Sequence, residues 1–206
     1  MTPDLDALAH QIIRAAEGAS RYLVALAGPP GAGKSYRSVQ LCDAINQHLP
    51  GQAGLVPMDG YHFDNAVLGE EQVPIKGAPH TFDVEGLRCD LERIRQGVHP
   101  IAVPVFDRPL DLARAGGRLI TLEQRIVIVE GNYLLLDRSP WRELRPLFDW
   151  TLFLDVDDVV LVERLINRWL EMGQGRAGAL ERTHHKDMLN AQLVKSCCLP
   201  PDQRWR

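Results

Sequence analysis

Four stretches of the chain are short, apolar at nearly every position and rich in branched side chains. They are residues 22–27 (YLVALA), 54–58 (GLVPM), 125–129 (RIVIV) and 151–154 (TLFL). Runs of this length without polar alternation read as strands buried on both faces. Between them the apolar period changes from two to about 3.6, which predicts helices over 35–49, 84–96 and 158–172. In the first of these, Val39, Cys42, Ile45 and Leu49 form the stripe expected to face the core. A further amphipathic helix opens the chain, with Leu5, Leu8, Ile12 and Ala15 on one face. Strands alternating with helices imply an α/β fold: a parallel sheet sandwiched by helices, with ligands at the carboxyl ends of its strands. No repeat or low-complexity linker divides the chain, so a single domain over 1–206 is expected. Within it, 60–122 departs from the alternation. The stretch 99–122 (HPIAVPVFDRPLDLARAGGRLITL) reads as a strand, a charged turn and a returning strand, a hairpin inserted over the sheet edge and the bound substrate.

The strands end in AGPPGAGKS, MDGYHFDN, VEGNY and LDVDD. The first satisfies G-x-x-x-x-G-K-[ST], with a strand before it and a helix after it. In such a loop, Gly28, Pro29, Pro30, Gly31, Ala32 and Gly33 wrap backbone N–H groups around a β-phosphate. Lys34 reaches the β- and γ-oxygens, Ser35 ligates Mg²⁺, and the first helical turn, with Tyr36, adds its dipole. The fold is therefore of the P-loop NTPase type, with ATP and Mg²⁺ as cofactors. A triphosphate site needs an acid to manage its metal. Glu130, ending its strand, takes that role, with Asp155 as competitor; the run DVDD suits a helix cap better. Asp59 ends the strand expected beside the phosphate loop, where a carboxylate can accept the proton of an acceptor hydroxyl. Tyr61 and His62 follow it toward the acceptor. In the region 164–182, Arg164 and Arg168 stand at i and i+4 of one helix, and Arg176 and Arg182 follow a glycine-broken turn. Such arginines form a lid that stabilises the charge of a moving phosphoryl group.

Composition narrows the picture. The 206 residues are 45% apolar and 24% charged, with a formal net charge of -4, so no basic character points to nucleic acid. No apolar run approaches the ~20 residues that span a bilayer. Cys42 and Cys89 are isolated, and Cys197 and Cys198 are adjacent, a pattern suited to a reduced, cytoplasmic setting. The expected partner is a small hydroxyl-bearing molecule, with the protein a monomer or homodimer. The acids and histidines near Asp59 suit a neutral, hydroxyl-rich acceptor. A phosphorylated one would call for a basic cluster, for which Lys76, Arg88 and Arg108 are scattered candidates.

In this order, GPPGAGKS, PMDGYHFDN, GAPHTFDVEGL, PVFDRPLDLA, VIVEGNYLLLD and the arginine-rich segment resemble the P-loop kinase group that includes uridine kinase, phosphoribulokinase and bacterial-type pantothenate kinase. Closer still, they resemble a bacterial branch provisionally named fructose transport system kinases. The resemblance implies that Asp59 is the catalytic base, that Glu130 lies near Mg²⁺, that Arg164 and Arg168 fall in the lid, and that Asp107 and His62 line the acceptor pocket. It also implies an ATP-dependent kinase of a small molecule, such as a sugar like fructose, with a nucleoside or pantothenate as alternatives. The chain lacks the Tyr-Asp followed by histidine with which uridine kinases contact the base, and it lacks a clear pantothenate pattern. Two other classes remain. A GTPase-type switch would use DVEG at 83–86 but has no N-K-x-D guanine reader, and a nucleotide-binding regulator would have lost transfer.

Overall fold

The computed structural model describes residues 4–205. In chain order its first half runs α1 (Leu5–Ala15), β1 (Tyr22–Ala27), α2 (Lys34–His48), β2 (Ala53–Pro57), α3 (Asn65–Leu68) and α4 (Val84–Gln96). The second half runs β3 (Ile101–Asp107), β4 (Leu112–Ile120), β5 (Ile126–Gly131), β6 (Trp150–Leu154), α5 (Asp158–Glu171), α6 (Arg176–Arg182), α7 (Met188–Ser196) and β7 (Gln203–Trp205). Five strands form a parallel sheet in the order β2-β5-β1-β6-β7. β3 and β4 form a separate antiparallel hairpin, as 99–122 led one to expect.

Strand β1 shows why the apolar runs become interior strands. Leu23, Ala25 and Ala27 face one core, with Leu87, Leu91 and Ile94 of α4 and Trp141. Val24 and Leu26 face the other, with Leu8 and Ile12 of α1, Leu41 and Ile45 of α2, and Leu161 and Leu165 of α5. The two-residue period of a strand thus divides one hexapeptide between two helix layers.

Three expectations need correction. First, β2 does not lie beside β1: β5 occupies that slot, and β2 pairs with β5 at the sheet edge. The residues account for this, because β2 carries Gly54 and Pro57, which weaken a ladder, whereas all six residues of β5 are buried. Second, the buried face of α2 is not the stripe containing Val39, which is exposed. Cys42 and Ile45 of that stripe are buried and Leu49 packs against the core, but the face is completed by Lys34, Ser38, Leu41 and Ala44 rather than by Val39, so a polar start hid its first turns. In α1, likewise, Ala16 rather than Ala15 is buried. Third, β7 has no apolar run to announce it. It is held through Trp205, buried in the core, and through Asp202, whose carboxylate accepts from the Thr151 N–H at 2.8 Å and hydroxyl at 2.7 Å.

The DVEG tetrapeptide is a helix cap. Asp83 is the N-cap of α4 and its carboxylate accepts from the Gly86 N–H at 2.8 Å, which accounts for the tetrapeptide structurally. In DVDD, Asp157 occupies the N-cap of α5, but its side chain makes no capping bond.

Candidate active site

The phosphate loop occupies the carboxyl end of β1. Gly31 and Gly33 have φ of +80° and +90°, a conformation that L side chains rarely adopt. Gly33 is the N-cap of α2 and has no side chain to satisfy the first-turn N–H groups, which leaves them to an anion. Lys34 is buried and folds back on its own loop, donating to the Pro29 carbonyl at 2.9 Å and to Asn132 Oδ1 at 2.6 Å. Burial pulls its pKa down to about 8, partly countered by Glu130 and Asp59. Such an ammonium gains from any phosphate that reaches it. Asn132, the residue that follows β5, was not legible as a site residue; only its place at a strand end could have suggested it.

Sheet register sets the acids. Glu130 pairs across to Leu26 on one side and to Pro57 on the other, so it sits between the loop start and the turn carrying Asp59. Its side chain is buried and accepts from the Ser35 hydroxyl at 3.0 Å. Burial first, then the Asp59 charge, pushes its pKa up to about 7. A buried carboxylate and a hydroxyl in contact supply the oxygen ligands that fit a hard divalent cation. When bound there with a nucleotide, Mg²⁺ would neutralise phosphate charge. Asp155, the competing acid, approaches Arg204 at 3.5 Å and lines a different cavity.

A pH-dependent result follows for Glu130→Gln. A carboxylate whose folded pKa lies above its unfolded 4.5 costs stability progressively as pH rises from 4.5 to 7, and fully above that. The nucleotide-free variant should therefore be more stable than wild type by roughly 1–3 kcal/mol at pH 8. The difference should close near pH 4.5, while activity falls by about 10²-fold or more. Thermal melts of both proteins across this range check it, and a variant no more stable at pH 8 would contradict the burden assigned to Glu130.

Lys34, Glu130 and Asp59 line one cavity of about 700 Å³. Asp59 lies in the 3₁₀ turn Met58–Tyr61, and its carboxylate accepts from Arg108 at 2.6 Å. The hairpin reaches this turn because residue 60 is glycine: a Cβ there would lie 2.3 Å from the Pro104 carbonyl oxygen. His62 lines the cavity in tilted contact with the rings of Phe82 and Phe106, at centroid distances of 4.0 and 4.6 Å. Its Nδ1 donates to the Asp59 carbonyl at 2.7 Å, which fixes the ring, and burial lowers its pKa.

Two expected acceptor residues point elsewhere. Tyr61 is buried in the core with its hydroxyl donating to Asp90 at 2.9 Å, because the 3₁₀ turn directs it toward α4. Asp107 does not line the cavity; it pairs with Arg114 across the hairpin at 3.1 Å. Its neighbours do line it, since strand alternation brings Phe106 and Arg108 to the side that Asp107 leaves. Of the scattered basic candidates, Lys76 and Arg108 meet in the cavity, whereas Arg88 bonds Glu85 and Glu92 on the surface of α4.

The lid arginines divide. Arg164 donates to the Ala32 carbonyl at 3.2 Å, directly beside the phosphate loop. Arg168 pairs with Asp187 at 3.3 Å, and its buried Nε has no hydrogen-bond partner among the described residues. Arg182 stacks on Trp169 with its guanidinium 4.9 Å from the ring centre, while Arg176 does not line the cavity. Trp169 Nε1 donates to Asp187 at 2.7 Å, which locks the pair on a π-helical turn, Thr183–Asp187. Lys186 and Asn190 also line the cavity from this side; no sequence motif marked Trp169, Asp187, Lys186 or Asn190. Pro30, Gly31, Gly33, Ser35 and Tyr36 complete the loop wall.

Among known proteins, the chain is 31% identical over 207 residues to a provisionally named uridine kinase of Schizosaccharomyces pombe, an alignment covering 96% of this chain and 88% of that one. It is 36% identical over 163 residues to the uncharacterized protein YggC of Escherichia coli, covering 76% of this chain and 65% of that longer one. The crystal structure of a provisionally named fructose transport system kinase from Silicibacter sp. TM1040 superposes with a TM-score of 0.92 at 37% identity, covering 98% of this chain and 99% of that one. No family model matches the chain. Its phosphate loop, parallel sheet and these full-length likenesses agree: the chain belongs to the P-loop kinase group whose named members include uridine kinases, pantothenate kinases and YFH7-type ATP-dependent kinases.

Proposed function

We propose that this kinase moves the γ-phosphoryl group of ATP to a hydroxyl of a small, polyhydroxylated molecule of sugar size. The observation that carries the reading is the convergence of Lys34, Glu130 and Asp59 on one cavity, between a phosphate loop and an inserted hairpin. Lys34 and the α2 N-terminus hold the phosphates, and Ser35 with Glu130 holds the metal. Asp59 takes the hydroxyl proton while Arg164 and Arg168 screen the charge of the transferring group. Before this, the Asp59 carboxylate must exchange its bond with Arg108 for one with the acceptor. A second cavity of about 750 Å³ shares Gly33, Tyr36 and Arg164 with the first, extends to Trp205, and suits the nucleoside end of ATP. His62 and the rings of Phe82 and Phe106 offer the acceptor a largely apolar wall.

The test is acceptor-dependent ADP release with ATP and Mg²⁺, over sugars, sugar acids, sugar phosphates, nucleosides and pantothenate. One class should raise ADP release at least tenfold above the acceptor-free rate. ATP binding without any acceptor-stimulated turnover would favour the nucleotide-binding regulator instead.

A further inference from the structure

The cationic groups of the cavity are not all accounted for by the proposed transfer. On the acceptor side they come in compensated pairs. Arg108 is bonded to Asp59 at 2.6 Å. Lys76 donates to the Asp111 carbonyl at 2.6 Å and to Asn65 Oδ1 at 2.8 Å, and it approaches the Asp111 carboxylate at 3.3 Å. Arg168 is paired with Asp187. Near the triphosphate end, Arg164 already touches the phosphate loop. Arg182 also lines the cavity without a hydrogen bond or ion pair among the described residues, but its guanidinium is seated on the Trp169 ring. Lys186 is different: it lines the same cavity and has no hydrogen bond, ion pair or ring contact among the described residues. It is half-buried, and burial lowers its pKa, with Arg182 and Arg168 adding repulsion that Asp187 and Asp111 only partly offset. Asp111, in the hairpin turn, lines the same cavity, so Lys186 faces a space bounded by the acceptor insertion as well as by the arginine-bearing helices.

A partly desolvated, unpaired ammonium is costly to maintain and gains most from an anion brought to it. Its backbone setting supports a ligand role. Lys186 lies on a single π-helical turn between α6 and α7, a local irregularity that recurs at functional sites. Asn190, in the first turn of α7, also lines the cavity, and its side chain makes no bond among the described residues. Its amide N–H₂ can donate beside the ammonium.

We infer that the acceptor carries an anionic group, a carboxylate or a phosphate, that seats on Lys186 and Asn190 while its hydroxyl meets Asp59. The inference rests on the kinase reading above and narrows it: the substrate is a sugar acid or sugar phosphate rather than a neutral sugar. This departs from the expectation of a neutral acceptor, because the fold brings Lys186 and Asn190, which no motif marked, into the cavity beside the compensated pairs.

The test saturates the full chain with Mg²⁺ and a non-hydrolysable ATP analogue, so that the phosphate loop is filled, and then titrates malonate and inorganic phosphate by calorimetry. Wild type should show a saturable anion site. Lys186→Gln should weaken it at least tenfold, and Lys186→Arg should restore most of it. The tighter of the two anions identifies carboxylate or phosphate as the group recognised. In turnover, a matched polyol, sugar acid and sugar phosphate should show the highest kcat/KM for an anionic member. Lys186→Gln should raise KM for that acceptor and not for ATP. Three results would overturn the inference while leaving the kinase reading intact: no saturable anion in the nucleotide-loaded protein, a neutral polyol preferred over both anions, or a Lys186→Gln loss that falls on ATP affinity. Failure of the analogue to bind at all would remove the kinase reading, and this inference with it.

Discussion

Lys34→Ala is expected to lower kcat/KM by about 10³-fold or more while the protein keeps its fold. The lost group is the ammonium that, in the nucleotide-free protein, bonds the Pro29 carbonyl and Asn132. With a triphosphate present it is the one buried cation on the loop able to follow charge onto the γ-phosphoryl oxygens. Burial holds its folded pKa near 8, below the ordinary 10.5. The sign matters for stability. A lysine whose folded pKa is depressed carries a cost that is complete below about pH 8 and is relieved as pH rises toward 10.5, because the unfolded chain then binds more protons. At pH 7 alanine removes that cost along with two hydrogen bonds, so the melting temperature should stay within about 5 °C of wild type. Between pH 8 and 10 wild type should gain stability relative to the variant. Steady-state kinetics and melts on one preparation check both parts. Turnover within tenfold of wild type would remove the loop from catalysis, and a collapse in melting temperature would show that Lys34 is structural.

The parts of the molecule most legible in the sequence were those where one periodicity dominates and the chemistry is local. The four apolar strands, helix 84–96 and the phosphate loop are of this kind, because each needs only its own residues to be specified. The order of strands is not local. The place of β2 at the edge rather than beside β1 depends on β5, some 70 residues later, filling the interior slot. The clue was Pro57, which cannot donate to a ladder. Asp59 nevertheless enters the cavity, because the parallel register of β2 with β5 carries the chain end past Glu130. The acceptor side was the least legible. In the hairpin, alternate residues face opposite sides, so a one-residue difference separates Asp107, bound to Arg114, from Arg108, bound to Asp59. The residues of the π-helical turn and α7 belong to no motif; only the tertiary fold brings Lys186 and Asn190 to the cavity.

Asp59→Asn should separate binding from chemistry. The side chain lies in the turn after β2, with its carboxylate bonded to Arg108 and its main-chain carbonyl bonded to His62. Asparagine keeps the size and an oxygen for Arg108, and the backbone bond to His62 does not involve the changed atoms. It cannot take a proton. If Asp59 is the base, ATP affinity should change little, because the triphosphate contacts belong to the loop at the end of β1 and Asp59 reaches Lys34 through its charge without a hydrogen bond. Turnover should fall by roughly 10²–10⁴-fold, the usual worth of general-base catalysis. If Asp59 serves only to anchor the hairpin through Arg108, stability should fall by about 1 kcal/mol and turnover per folded molecule should persist. Arg108→Ala discriminates further, since it breaks the same contact and leaves the carboxylate in place. A shared loss in both variants points to the ion pair, and a loss confined to Asp59→Asn points to the proton. If the carboxylate instead ligates the metal, the Mg²⁺ requirement of Asp59→Asn should rise, and added Mg²⁺ should recover part of the rate. Measuring ATP affinity, Mg²⁺ dependence and melting temperature together distinguishes these outcomes, and a variant that turns over its acceptor at the wild-type rate would remove Asp59 from the mechanism.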